Sequence, residues 1–301
     1  MGHDHTHDHA PSHSKAFAVS LVLNTGFVVV EVVYGLIAGS MALVADAAHN
    51  LGDVLGLALA WGATRLARIE PSSHRTYGWR KSTILAALLN ALLIMVAVGG
   101  VAWEAVQRLG SPTEINGWTV TTVASIGVAI NTFSAALFFA GRKRDANIRG
   151  AFLHLAADAA VSVGVVLAGL LVLATGWHWV DPAMSLAISV VILVGTWSLL
   201  RDSINMLMDA VPTHLDLAEV QDCLENTDGV VEAHDLHIWA MSTSETALTA
   251  HLRLDEGADG GEVLSSVRQT ILSRFDISHS TIQTEPHGLE APCAQAAEGQ
   301  V

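Results

Sequence analysis

Six stretches of this chain, at about residues 16–38, 41–64, 82–106, 117–140, 151–174 and 181–200, are apolar over the roughly 20 residues that an α-helix needs to cross a bilayer. In lipid every backbone N–H and C=O must be satisfied within its own segment, so each stretch is predicted to be a helix. Composition agrees: of 301 residues, 51% are hydrophobic and 15% charged, which suits a polytopic membrane protein with one modest soluble portion and argues against a purely soluble globule. The opening MGHDHTHDHAPSHSK is polar and His-rich, where a cleavable signal begins basic and turns apolar; the first apolar stretch is therefore expected to be retained as a span. Only Cys223 and Cys293 occur, with no CxxC, so neither a disulfide framework nor a thiolate zinc finger is supported.

Charge is unevenly placed between the spans. Arg65, Arg68, Arg75, Arg80 and Lys81 lie between the second and third, and Arg142, Lys143, Arg144 and Arg149 between the fourth and fifth. The connections at 39–40 and 176–181 carry no Lys or Arg, and the one between the third and fourth spans has only Arg108. The positive-inside rule then predicts that both termini are cytoplasmic, in a multi-pass protein of the inner (plasma) membrane.

Two cassettes of one form, His49-Asn-Leu-Gly-Asp53 and His154-Leu-Ala-Ala-Asp158, fall in the second and fifth spans. Four residues of helix turn through about 400° and rise about 6 Å, so each cassette stacks an imidazole and a carboxylate on one face. An ionisable group at mid-membrane costs about 2.5–3.5 kcal/mol on insertion scales, which makes the four together a candidate functional site. The plain alternative is two separate pairs, each satisfying itself in a helix bundle. Both spans also carry small residues at four-residue spacing, Ala48, Gly52, Gly56 and Ala60 in one and Ala156, Ala160, Gly164 and Ala168 in the other, a pattern that lets helices approach closely in lipid. Asp46, one turn before His49, either orients that histidine or relays protons beside it, or lies at the water boundary. Asn24, Glu31 and Asn131 are further polar groups in the spans, expected to make interhelical hydrogen bonds.

Past Val211-Pro212 the composition changes. Residues 213–301 hold sixteen acidic residues against Arg253, Arg268 and Arg274, a net charge of −13 out of the chain's −14. Asp216-Leu-Ala-Glu219 reads as a capping box opening a helix to about residue 227. Strand-like runs at 230–241 and 246–254, a helix near 262–275 and a short strand at 280–285 complete a small α/β domain on the cytoplasmic side. So acidic a surface excludes nucleic acid as a partner and favours cations. His234, His237, His251 and His279 cluster on it, joined by Glu285, His287 and Cys293. His234 and His237 are three apart on a strand, so they are predicted to face opposite ways and not to share a site. His3, His5, His7, His9 and His13 form a metal-binding tract by composition, a sequestering or delivery arm in preference to a passive tail.

These residues resemble the cation diffusion facilitator family, close to its zinc-efflux branch. The likeness extends over about residues 16–286 and rests on ADAAHNLGD at 45–53, HRTYGWRK at 74–81, FLHLAAD at 152–158, DP at 181–182, LHIWAM at 236–241 and AHLRL at 250–254. It implies an α-helical membrane protein of six transmembrane helices with a small, metallochaperone-like α/β cytoplasmic domain, a Y-shaped homodimer, alternating access and exchange of Zn²⁺ for protons. It divides the chain into a His-rich arm at 1–15, a six-span domain at 16–209, the cytoplasmic metal-binding domain at 210–288 and a flexible tail at 289–301. Carried over by residue, the transport site falls on His49, Asp53, His154 and Asp158, and the cytoplasmic site on His234, His251, His279 and Glu285. Some members place metal ligands in the loop after the second span; here that loop offers only His74 and Glu70. Cys293 stands alone where relatives often have a cysteine pair.

Chemistry points the same way. Two imidazoles and two carboxylates suit Zn²⁺, with Cd²⁺, Co²⁺ and Ni²⁺ compatible, whereas oxygen-only cages favour Mg²⁺, Ca²⁺ or Mn²⁺. Histidine must be neutral to bind metal, so protons compete with the ion at His49 and His154, and an inward proton gradient can drive efflux. Two other functions are open to these residues. An intramembrane zinc hydrolase needs a general base, for which only Asp46 is available, since no HExxH occurs. A membrane-bound zinc sensor or buffer needs only the arm and the tail.

Overall fold

The computed structural model of the chain describes residues 14–140 and 146–288. Six helices long and apolar enough to cross a membrane come first: α1 Ser14–Ala38, α2 Met41–Ala67, α3 Ser82–Gly110, α4 Gly117–Phe138, α5 Ala146–Thr175 and α6 Val180–Leu207. Then follow α7 Leu217–Glu225, β1 Val230–Ala240, β2 Thr246–Leu254, α8 Gly260–Phe275 and β3 His279–Glu285. This is the predicted fold class. Most of the long helices outrun the apolar stretches, because hydropathy marks the lipid-crossing part alone. The 27 residues of α2 rise about 40 Å against a hydrocarbon core of about 30 Å, and its last turn carries Arg65 into water.

By packing the chain divides into two compact units, one of the residues up to Leu57 with Leu92–Thr196, the other of Ala58–Ala91 with everything from Trp197. In the first unit Phe27, Leu43, Val98, Val120, Val165 and Ile188 form a continuous core. Two glycines of the small-residue stripes face helices other than each other's. A Cβ on Gly52 would stand 2.6 Å from Ile94 of α3, and one on Gly164 would meet Met184 of α6 at 3.6 Å. Polar groups tie neighbours as expected at two of three positions: Asn50 Nδ2 donates to Glu31 at 2.9 Å, and Asn24 Nδ2 donates to Ser134 Oγ at 3.5 Å. Asn131 is fully buried and makes no such bond among the described residues.

The N-terminus of α2 is held from another helix. Helix starts leave N–H groups without intrahelical partners. Here the carboxylate of Asp181, in the first turn of α6, accepts from the Met41 amide at 2.6 Å, the Ala42 amide at 3.4 Å and the Ser40 hydroxyl. The turn before it is set by Gly39 at φ 68°, a conformation that costs glycine little.

In the second unit a three-stranded sheet has the order β1-β2-β3, with β1 antiparallel to β2 and β3 parallel to it through the α8 crossover. Leu248, Leu252 and Leu254 alternate along β2 onto one face and meet Leu224 of α7 and Val267 and Ile271 of α8. Asp216 caps α7 at the Ala218 amide, 2.9 Å away, but Glu219 does not close the predicted capping box: its carboxylate takes Arg274 of α8 at 2.7 Å instead. A full charge on a facing helix outcompetes one backbone amide.

Candidate metal centre

The two cassettes meet. His49 and Asp53 share a face of α2, and His154 and Asp158 share a face of α5, as four-residue spacing requires. Nε2 of His49 lies 3.4 Å from Asp158 and 3.8 Å from Asp53, while Nε2 of His154 lies 3.3 Å from Asp53 and 3.6 Å from Asp158. Imidazoles and carboxylates thus alternate around a closed ring of four. Ligand atoms of His49, Asp53 and Asp158 all fall within 4.8 Å of one another, and His154 completes the ring from the rim. The two imidazoles stand edge to face with centroids 6.1 Å apart.

Burial is graded. The Asp158 side chain is 5% exposed and forms the floor, whereas those of Asp53 and His154, at 35% and 46%, face an adjoining cavity of about 190 Å³. Asn24, Asn50 and Phe138 also line it. At about 30 Å³ per water, that space admits an ion with part of its hydration shell. With both imidazoles neutral the four donors carry a charge of −2, which one divalent cation cancels. Two nitrogens and two oxygens are a donor set for Zn²⁺ and its neighbours.

Asp46 is fully buried within the protein. Its carboxylate accepts from Ser162 Oγ of α5 at 3.1 Å, pinning α2 to α5 behind the ring. The Nδ1 of His49 is buried with no hydrogen-bond partner among the described residues, so Asp46 does not orient that ring here. Ser162 drew no notice in the sequence, since a serine in a span is unremarkable until its partner is known.

A second group forms on the outer face of the three-stranded sheet. His251 Nδ1 is 3.0 Å from Glu285 Oε1, His234 Nε2 is 3.5 Å from Glu285 Oε2, and the two imidazole centroids are 5.4 Å apart. Ligand atoms of these three lie within 4.8 Å. Glu285 is 3% exposed, and its Oε2 and the Nδ1 of His234 are buried without hydrogen-bond partners among the described residues. Three convergent donors with polar valence to spare fit a bound cation.

Two expectations are corrected by strand geometry. His234 and His237 share a face: β1 has a bulge between them, His234 pairing with His251 and His237 with Thr249, two apart on β2. The extra residue is Asp235, at φ 50°, a conformation that Asp tolerates better than most side chains. Its carboxylate reaches His237 Nε2 at 3.0 Å and His251 Nε2 at 3.8 Å, a role only the bulge creates. His279, the expected fourth ligand, is not brought to the group. It opens β3, six residues before Glu285 and so about 20 Å along the strand, and its ring packs edge to face on Tyr77 at 5.6 Å. His74 and His287 are exposed, neither joining another ligand among the described residues. His3, His5, His7, His9, His13 and Cys293 lie outside the described residues.

Residues 17–208 match the cation efflux transmembrane domain, and residues 212–287 match the cytoplasmic domain of cation efflux proteins. The chain is 38% identical over 301 residues to the metal cation efflux system protein CzcD of Cupriavidus metallidurans, covering 100% of this chain and 94% of that one. It is 34% identical to a cadmium, cobalt and zinc/H(+)-K(+) antiporter of Bacillus velezensis, over 95% of this chain and 92% of the relative. It is 33% identical to the zinc transporter ZitB of Escherichia coli, over 99% and 96%. With both domains matched in order and the six helices and small α/β domain in place, the chain belongs to the cation efflux, or cation diffusion facilitator, family, as a multi-pass membrane transporter of metal cations and not an enzyme.

Proposed function

We propose that the chain is a homodimeric antiporter that exports Zn²⁺ from the cytoplasm in exchange for protons, with Cd²⁺, Co²⁺ and Ni²⁺ as compatible cargo. The observation that carries this reading is the ring of His49, Asp53, His154 and Asp158, whose cross-helix distances of 3.3 and 3.4 Å join α2 to α5. A dehydrated divalent ion there meets four donors of matching charge and number. The same imidazoles bind either the ion or protons, and this competition is the coupling. Facing a near-neutral cytoplasm the ring loads Zn²⁺; facing a more acidic exterior it takes up protons and releases the ion, which is alternating access. A relative named as a zinc/H(+)-K(+) antiporter and another named as a zinc transporter support both halves of the reading.

The membrane is the inner (plasma) membrane and both termini are cytoplasmic, in line with Arg65, Arg68, Arg75, Arg80 and Lys81 in one connection and Arg142, Lys143, Arg144 and Arg149 in another. Asp46, linked to Ser162, holds the ring's two helices in register from behind. His234, His251 and Glu285 bind a regulatory Zn²⁺ in the cytoplasmic domain. The test is purified protein in liposomes holding a zinc-sensitive dye, with an imposed pH gradient. Zinc should accumulate against its gradient when protons run the other way, and collapse of the pH gradient should abolish this. Flux indifferent to the gradient and to a protonophore would make the protein a channel or uniporter.

A further inference from the structure

Within the second unit, the ends of α2 and α3, the 68–81 loop and the sheet domain line an open cavity of about 1040 Å³. Its walls are of two kinds. Leu59 and Leu66 of α2 and Leu85 of α3 are apolar, while Arg75, Tyr77 and Trp79 of the loop are polar and aromatic. The loop is a built structure. Ser72 and Arg75 exchange both backbone hydrogen bonds at 3.0 Å, and Gly78, at φ 68°, donates to the Arg75 carbonyl at 2.9 Å. A Cβ on Gly78 would stand 3.2 Å from the Ile69 carbonyl, so the chain folds back on itself there.

The cations on this lining are not equivalent. Arg80 is paired with Glu245 at 3.2 Å and Lys81 with Asp209 at 2.8 Å, so both are neutralised. Arg75 has no carboxylate partner among the described residues; its guanidinium is stacked 3.8 Å over the Trp79 ring, which holds its planar fork in place. An indole and a phenol beside a held guanidinium, in the connection between two membrane-length helices, are the side chains expected at headgroup level.

We propose that this cavity holds an anionic phospholipid of the cytoplasmic leaflet, its phosphate on Arg75 and its acyl chain along Leu59, Leu66 and Leu85. Charge decides for an anionic headgroup, since the Arg75 guanidinium is held on the lining with no carboxylate competing for it among the described residues. The leucine wall decides for an amphiphile, since a free phosphate gains nothing from it.

The experiment is native mass spectrometry of the full chain, exchanged from detergent micelles carrying phosphatidylglycerol or phosphatidylcholine. One phosphatidylglycerol per chain should survive release, and phosphatidylcholine should not. Arg75→Ala should lower retention about tenfold, the effect of one charge-assisted partner, while Arg149→Ala, an exposed cation outside the lining, leaves it unchanged. Equal retention of the two lipids, or equal retention by wild type and Arg75→Ala, overturns the proposal. So does displacement of the lipid by millimolar inorganic phosphate, which would make free phosphate the ligand. Efficient cross-linking between two Tyr77→Cys chains that lack Cys223 and Cys293 would put a second copy in the cavity and overturn it as well. Should Arg75→Ala fail to fold, retention by Arg75→Lys with loss by Arg75→Gln supports the proposal, and equal retention by those two overturns it.

Discussion

His154 of α5 is closer to Asp53 of α2, at 3.3 Å, than to Asp158 in its own cassette, at 3.6 Å. His49 behaves the same way, nearer Asp158 than Asp53. In the proposed site each helix therefore completes the other's His–Asp pair, and an ion held there would be a bond between α2 and α5. A transporter needs this property, because any motion that parts the two helices weakens the site and frees the cargo.

Replacing either carboxylate should abolish zinc flux. Asp53→Ala or Asp158→Ala leaves two neutral imidazoles and one carboxylate to offset the dehydration of a divalent ion. Zinc entry into dye-loaded liposomes is expected to fall to the rate of empty vesicles while the protein still elutes as a folded species. Wild-type flux in either variant would place the cargo site elsewhere.

Asp181 offers a test of architecture apart from the cargo. It satisfies the Met41 and Ala42 amides at the start of the helix that bears His49. Removing a cap costs about 0.5–2 kcal/mol, and burial of the amides it satisfies puts this one at the upper end. Asp181→Ala should lower the melting temperature of the detergent-solubilised protein, and Asp181→Asn, whose amide oxygen still accepts, should lower it less. Unchanged melting in the alanine variant would show the cap to be dispensable.

How far the sequence could be read follows from which geometry each residue depends on. The cassettes were legible because four residues are one helical repeat, so His49 and Asp53 share a face whatever surrounds them. The six spans were legible because lipid demands apolar length. What failed depended on local departures or on partners far along the chain. The strand period placed His234 and His237 on opposite faces until one extra residue, Asp235, reset it. Glu219 looked like half of a capping box and instead found Arg274, 55 residues on. Of the stripes of small residues, Gly52 is a close-approach position, but spacing does not name the neighbour, and it faces Ile94 of α3.

Zinc affinity at the ring should fall with acidity. A histidine binds metal only when neutral, and its ordinary pKa is about 6.5, so below that each competing proton costs about tenfold per pH unit. Calorimetric titration of zinc at pH 8, 7 and 6, on a His251→Ala background that leaves the ring as the main site, should show a steepening loss. Affinity flat across that range would break the coupling between metal and proton.

The cytoplasmic group discriminates between two histidines. His251 contacts Glu285 at 3.0 Å, whereas His279 packs on Tyr77. His251→Ala should remove one zinc equivalent per chain from the purified protein, and His279→Ala should leave the stoichiometry unchanged. Equal loss from both variants would mean that a second copy of the chain delivers its own His279 to the site.

Residues 213–301 carry a net charge of −13, so two such domains across a dimer axis repel one another. The repulsion is screened beyond about 10 Å in ordinary buffer but acts where the domains come close. Zinc on His234, His251 and Glu285 places positive charge inside that field and relieves part of it. As a hypothesis, metal-free domains are splayed and zinc draws them together, biasing the dimer toward the transporting state when cytoplasmic zinc is high. Spin labels on α8, one per chain, should report a shorter distance with zinc in wild type and no change in His251→Ala, whose mid-strand position spares the fold. A distance indifferent to zinc in wild type, or equal shortening in the variant, would remove this group from the mechanism and leave the charge as a matter of solubility alone.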